Sequence, residues 1–184
     1  MSRYVAFLRG MNVGGRRITN KDLSAAFDEI GLPDASTFRA SGNVVFDDPT
    51  STRRADLPGQ IEEGLRKVLG YEVPVFLRSA AEARAIAAFA PFPAARIAAS
   101  KGKVQVVLLA AKPKAKAREQ ALAHATAADA LAIEGSELYW LPSGGTIDSD
   151  LDLQAIAKLL GGLTTMRTKG TIDLIAAKHC TTPA

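Results

Sequence analysis

Ser36-Thr37-Phe38-Arg39-Ala40-Ser41-Gly42-Asn43-Val44-Val45-Phe46-Asp47 decides the fold. Two strand-like runs, 36–40 and 44–47, flank a Ser-Gly-Asn triplet whose glycine and asparagine tolerate the left-handed backbone of a tight turn, which predicts a hairpin. Upstream, the apolar run 3–9 ends at Gly10 and reads as a buried strand. Between that strand and the hairpin, Thr19 and Asp22 form a capping pattern, and Leu23, Ala26, Phe27 and Ile30 follow at helical spacing until Gly31 and Pro33 stop them. Downstream, Pro58 suits a first helical turn, Ile61, Leu65, Val68 and Leu69 share a face before Gly70, and 73–77 reads as a strand. Residues 3–78 therefore spell strand, helix, strand, strand, helix, strand, the order of the ferredoxin-like split unit.

The order then recurs. A helix opened by Ser79 and Glu82 runs toward Pro91, and an irregular connector covers 92–102. A strand at 104–109, a helix at 114–127, a hairpin at 131–134 and 138–141 around Gly135-Ser136, a helix at 153–160 and a short strand at 163–166 follow. A helix at 168–178 ends the reading. The expected fold class is α+β, with duplicated ferredoxin-like (βαββαβ) units, each an antiparallel sheet with helices on one face. The expected division is 1–78, a linking helix and connector 79–102, and 103–184. The repeat lies in element order and not in residues.

The chain has 184 residues, a formal net charge of +4 and one cysteine, Cys180. A lone cysteine rules out an intrachain disulfide and a cysteine zinc finger, and fits a reducing compartment, so the cytoplasm is expected. No apolar run approaches the ~20 residues of a membrane span. The mildly basic balance permits nucleic acid without demanding it.

The candidate site begins with Arg9-Gly10-Met11-Asn12-Val13-Gly14-Gly15-Arg16-Arg17, three glycines and three arginines in nine residues. Glycine lets successive N–H groups point one way, and arginine offers a planar fork of donors, a combination suited to an anion beside a helix start. In the split unit, the hairpin turn lies where the first strand ends. Arg9, Gly10, Asn12, Gly14, Gly15, Arg16 and Arg17 should thus meet Arg39, Ser41, Gly42 and Asn43. The bland alternative is that the glycines serve backbone geometry and the arginines are solvated or pair with Asp22 and Glu29.

Other chemistry is weaker. Gly10 and Gly15 have P-loop spacing, but Arg16-Arg17 stand where lysine and a hydroxyl are needed. Asp148, Asp150 and Asp152 alternate like a calcium loop, yet Leu153 and Leu159 occupy the turn-glycine and closing-glutamate positions, and helix capping explains the acids better. His124 and His179 lack ligand spacing. Trp140 reads as a packed indole more than as a stacking platform. No metal, cofactor or catalytic residue is expected.

Leu8-Arg9-Gly10-Met11-Asn12-Val13-Gly14-Gly15, followed by Ser41-Gly42-Asn43-Val44-Val45-Phe46, resembles the two signature segments of a bacterial family named as domain of unknown function number sixteen ninety-seven. Val73-Pro74-Val75, Arg78-Ser79, Pro91-Phe92-Pro93 and Glu137-Leu138-Tyr139 are similar to its later landmarks, so the likeness covers nearly the whole chain. The resemblance implies the duplicated ferredoxin-like fold and no activity. The chain departs from the family pattern at Ser149-Asp150-Leu151, where a lysine is usual, and at Arg167-Thr168-Lys169-Gly170-Thr171, where a tryptophan is usual. The expectation is a binding protein for an anionic small molecule or nucleic acid. An enzyme using the same loop as an anion clamp and a purely structural or protein-interaction module are the alternatives.

Overall fold

The computed structural model describes residues 2–11, 15, 17–39, 42–49 and 54–181. They form an α+β chain with two four-stranded antiparallel sheets and, among the described residues, seven helices. The chain divides into two units, Met1–Arg84 with Ile175–Ala184, and Ala85–Leu174.

In the first unit β1 (Ser2–Leu8), α1 (Asn20–Glu29), β2 (Ser36–Thr37), β3 (Asn43–Asp48), α2 (Leu57–Leu69) and β4 (Val75–Ser79) follow in the expected order. The sheet runs β2-β3-β1-β4, so β1 is central, with Val5 opposite Val45 on one side and Arg78 on the other. Thr19 caps α1 as its sequence requires: its Oγ1 accepts from the Asp22 N–H at 3.1 Å and donates to Asp22 Oδ2 at 2.7 Å. Leu23, Ala26 and Phe27 of α1 and Ile61 and Leu65 of α2 pack with Ala6, Leu8, Val44 and Phe46 into one core, so both helices cover one face of the sheet. Val5 and Phe7, on the opposite face, have no exposed surface either.

The β2 strand is shorter than the expected 36–40. Arg39 takes a left-handed φ of +58° and leads the chain out of the ladder, while Phe38 N–H still donates to the Asn43 carbonyl at 2.9 Å.

In the second unit, β5 (Gln105–Leu109), α5 (Ala115–Leu122), β6 (Asp129–Glu134), β7 (Glu137–Pro142), α6 (Leu153–Leu159) and β8 (Thr164–Thr168) repeat the order, and the sheet runs β6-β7-β5-β8. Val107, Leu109, Ile133 and Leu138 meet Ala121 of α5 and Ile156 of α6. The helix α3 (Ala80–Ala88) opens on the expected box: Glu82 N–H donates to Ser79 Oγ at 3.2 Å, and Ser79 N–H donates to Glu82 Oε2 at 2.8 Å. The C-terminal helix α7 spans Lys169–His179.

Two further expectations are corrected. The connector 92–102 contains a short helix, α4 (Ala94–Ala99), begun by Pro93, whose carbonyl accepts from Arg96 and Ile97; it buries no residue, so it has no apolar stripe to read. The α5 helix stops at Leu122 and not near 127, because Thr126 and Asp129 form a turn that starts β6: Thr126 N–H donates to the Asp129 carbonyl at 2.9 Å and Asp129 N–H to Thr126 Oγ1 at 3.0 Å.

Candidate functional site

The two candidate loops of the first unit meet. Leu8 N–H, at the end of β1, donates to the Gly42 carbonyl at 2.7 Å. Gly42 has φ +68°, and a Cβ there would lie 2.9 Å from Met11 Cγ and 3.1 Å from Leu8 Cβ. Close approach of the loops and a left-handed backbone thus both require glycine at this point. On the other side, Arg9 N–H donates to the Pro74 carbonyl at 3.0 Å, which fixes where the loop leaves the sheet.

Arg9, Gly10, Gly15, Arg17 and Arg39 are exposed. Gly10 and Gly15 adopt positive φ, +73° and +82°, with open space where a side chain would stand. Arg39 keeps its guanidinium 5.6 Å from the centre of the Phe38 ring, and the edge of the His179 ring meets Phe38 at 6.0 Å. Asn43 is different: it is fully buried, and its Nδ2 donates to the Phe38 carbonyl at 2.9 Å. It closes the turn from beneath. Asn12, Gly14, Arg16 and Ser41 lie outside the described residues.

A second concavity, which the sequence reading did not single out, lies in the second unit. It is a cleft of about 380 Å³ between the turn before β6 and the segment after β7, and it is lined by His124, Thr126, Asp129, Asp148, Ser149 and Asp150 among others. Its back is held by backbone bonds: Ser143 N–H donates to the Ala128 carbonyl at 2.7 Å, and Lys101 N–H to the Ser143 carbonyl at 3.0 Å.

Asp129 anchors the cleft. Only 5 % of it is exposed, and its Oδ1 accepts from the Trp140 indole N–H at 2.8 Å and from the Ser149 hydroxyl at 2.7 Å. The packed-indole reading of Trp140 holds. Trp140 and Tyr139 point to opposite faces of β7, as strand alternation demands, yet each is only 1 % exposed, with Phe89 against Tyr139 at 4.9 Å. The acids at 148–152 serve partly as capping groups, since Asp152 Oδ1 accepts from Ala155 N–H at 2.8 Å and Ser149 Oγ accepts from Leu151 N–H at 3.0 Å. The sequence carried a faint signal for this cleft in those alternating acids. What it lacked was the pairing of Asp129 with Trp140 and Ser149, which arises only when β6 and β7 are in register.

Among the described residues, no group of three or more His, Cys, Asp or Glu side chains is arranged to hold a metal ion, and no helix is long and apolar enough to cross a membrane. Cys180 is buried, and burial pushes its thiol above the ordinary range, so the thiolate that a nucleophile needs is disfavoured.

Comparison with known proteins gives one family and one fold. The family model described as "Protein of unknown function (DUF1697)" matches residues 1–139. A solved structure of a conserved bacterial protein from Streptococcus pneumoniae is similar, with a TM-score of 0.67 at 18% sequence identity, covering 96% of this chain and 97% of that one. At that identity the likeness carries the fold alone. The search of curated proteins gave no match.

Proposed function

The chain belongs to the DUF1697 family of proteins of unknown function, and we propose that it is a cytoplasmic binding protein that holds a phosphate- or carboxylate-bearing anion, nucleic acid included, where the loop after β1 meets the β2–β3 turn. The observation that carries this reading is the Leu8 to Gly42 backbone bond, which ties together two loops bearing the exposed Arg9, Arg17 and Arg39. Exposed arginines on joined loops offer planar donor forks to one anion. Asn12, Gly14, Arg16 and Ser41 join the proposed site through their sequence positions within the same loops. Asn43 acts in it by holding the turn.

The two units support origin by duplication. Both sheets share one strand order, and Leu109 N–H donates to the Ser136 carbonyl at 2.9 Å, in the place that the Leu8 to Gly42 bond occupies in the first unit. The second corner lacks the glycine-arginine loop, so anion binding is assigned to the first unit.

The test is fluorescence anisotropy of a labelled single-stranded oligonucleotide over a salt series, with inorganic pyrophosphate as competitor. The expected result is saturable binding with a log-log salt slope of about −2 to −3, as roughly three or four neutralised phosphates would give, reduced at least tenfold in an Arg17→Ala, Arg39→Gly double variant that keeps its fold. Equal binding by the variant would remove the site. No binding of oligonucleotide or pyrophosphate at low salt would remove the anion reading itself.

A further inference from the structure

We propose that Phe38 and Arg39 form a stacking platform for a nucleobase, so that the ligand of the first unit's loops is a nucleoside phosphate, free or within a single strand; the inference rests on the anion reading above. Phe38 follows β2 at the corner where those loops meet. Its N–H donates to the Asn43 carbonyl at 2.9 Å, and its carbonyl accepts from Asn43 Nδ2 at 2.9 Å. Asn43 is in turn opposite Phe7, so Phe38, Asn43 and Phe7 lie in one row across the sheet. With β3 between β2 and β1, the two ends of that row are two strand spacings apart, roughly 10 Å. A base at Phe38 joined through its sugar to a phosphate at the loop after β1 spans that distance.

The two phenylalanines of the row differ in surroundings. Phe7 has no exposed surface, whereas Phe38 is half-buried. Its ring partners are the Arg39 guanidinium, 5.6 Å from the ring centre, and the His179 imidazole, which meets it edge-on at 6.0 Å. Planar π groups of three kinds therefore share one partly exposed corner. Bases stack on phenylalanine rings, imidazoles and guanidinium planes alike, because every base has a π face.

Arg39 adds an independent observation. Its φ of +58° lies in the left-handed region that glycine or asparagine ordinarily fills. Strain of this kind clusters where a side chain is put to use, and here the strained residue carries the guanidinium over the Phe38 ring. Inorganic phosphate or a simple carboxylate would engage Arg9, Arg17 and Arg39 and leave Phe38 without a role. A ligand with both a phosphate and a π face uses every one of these groups.

The experiment is isothermal titration calorimetry of the full chain with unlabelled probes at low and moderate salt. The probes are an oligothymidylate of about ten nucleotides, an abasic phosphodiester strand of the same length, thymidine monophosphate, deoxyribose 5-phosphate and inorganic pyrophosphate. The base-bearing strand is expected to bind at least about tenfold more tightly than the abasic one, as one stacked base gives. Phe38→Leu should remove that difference and Phe38→Tyr should keep it. The salt slope should be the same in all three proteins, since a stacked base carries no charge. An equal preference for thymidine monophosphate over deoxyribose 5-phosphate assigns the platform to free nucleotides, and a preference seen only with the strand assigns it to nucleic acid. Equal binding of the base-bearing and abasic strands, with pyrophosphate still bound, overturns the proposal and leaves the anion reading standing. Loss of pyrophosphate binding in Phe38→Leu also overturns it, by making Phe38 a support of the turn. No binding of any probe at low salt removes both readings.

Discussion

The Trp140 indole N–H donates to Asp129 Oδ1 at 2.8 Å, and both residues are buried. The pair lies diagonally across β6 and β7, where Leu131 faces Trp140 and Asp129 faces Pro142. One carboxylate oxygen therefore satisfies a donor that water cannot reach. Asp129→Ala would leave the indole N–H unsatisfied and should destabilise the protein by about 1–3 kcal/mol. Asp129→Asn keeps an acceptor and should cost less. Urea unfolding followed by Trp140 fluorescence measures both, and equal costs for the two variants would show that the bond matters less than the packing.

Gly42 and Gly15 form a matched pair for separating crowding from backbone strain. Both have positive φ, but a Cβ at Gly42 would press on Met11 and Leu8, whereas one at Gly15 meets open space. Gly15→Ala should cost about 1–2 kcal/mol, the left-handed penalty alone. Gly42→Ala should cost clearly more, because Met11 and the fixed Leu8 must shift as well. Thermal unfolding of the two variants ranks them.

Arg39 is a charged residue in a conformation that favours glycine, with φ +58°. Replacing it with glycine relieves about 1–2 kcal/mol of left-handed strain while adding roughly 0.5–1 kcal/mol of unfolded-state entropy. Arg39→Gly should therefore leave stability close to that of the parent, or slightly higher, while weakening anion binding. A fall in stability by several kcal/mol would mean that the contact with Phe38 outweighs the strain.

His179 gives stability a pH dependence on the acid side of neutrality. Burial lowers its proton affinity, and the neighbouring Lys178 and Arg3 lower it further. The unfolded chain therefore takes up the proton first, as pH falls through the ordinary histidine value of about 6.5. The native state is at full advantage above that pH and loses ground below it. Stability curves of the parent and of His179→Gln should run parallel from pH 8 to about 7 and converge or cross as pH falls toward about 5. Parallel curves throughout would remove His179 from the acid response.

Arg3 and Asp47 act in a lower window. The Arg3 guanidinium bonds both Asp47 oxygens, at 3.0 and 2.7 Å, and holds that carboxyl below the ordinary range despite partial burial. Stability from this pair is complete above about pH 4 and is lost as pH falls through the lowered native value. The gap between the parent and Asp47→Asn should accordingly close on acidification; a gap that persists at pH 2 would point to packing in place of charge.

Much of the fold was legible because its signals are local. Thr19 with Asp22 and Ser79 with Glu82 cap their helices as the spacing requires, and each box completes itself within one helical turn. Where a signal was weak or contested, the reading slipped. Residues 94–99 carry no apolar stripe, and the polar residues Thr126 and Asp129 ended α5 by bonding to each other's backbone. Of the candidate site, the meeting of the glycine-arginine loop with the hairpin turn followed from topology, whereas the burial of Asn43 did not, since a polar side chain in a turn looks the same whether it faces water or a carbonyl.

The sequence by itself determined the order of elements within each βαββαβ unit, the caps of α1 and α3 and the place of the glycine-arginine loop, because these depend on groups a few residues apart. The tertiary structure alone decided that both faces of β7 are covered, that Gly42 sits against Met11, and that Asp129 is fixed by Trp140 and Ser149 at the floor of a cleft. Those facts rest on strand register and on the packing of segments distant in the chain, and burial and hydrogen-bond geometry exist only once such segments are brought together.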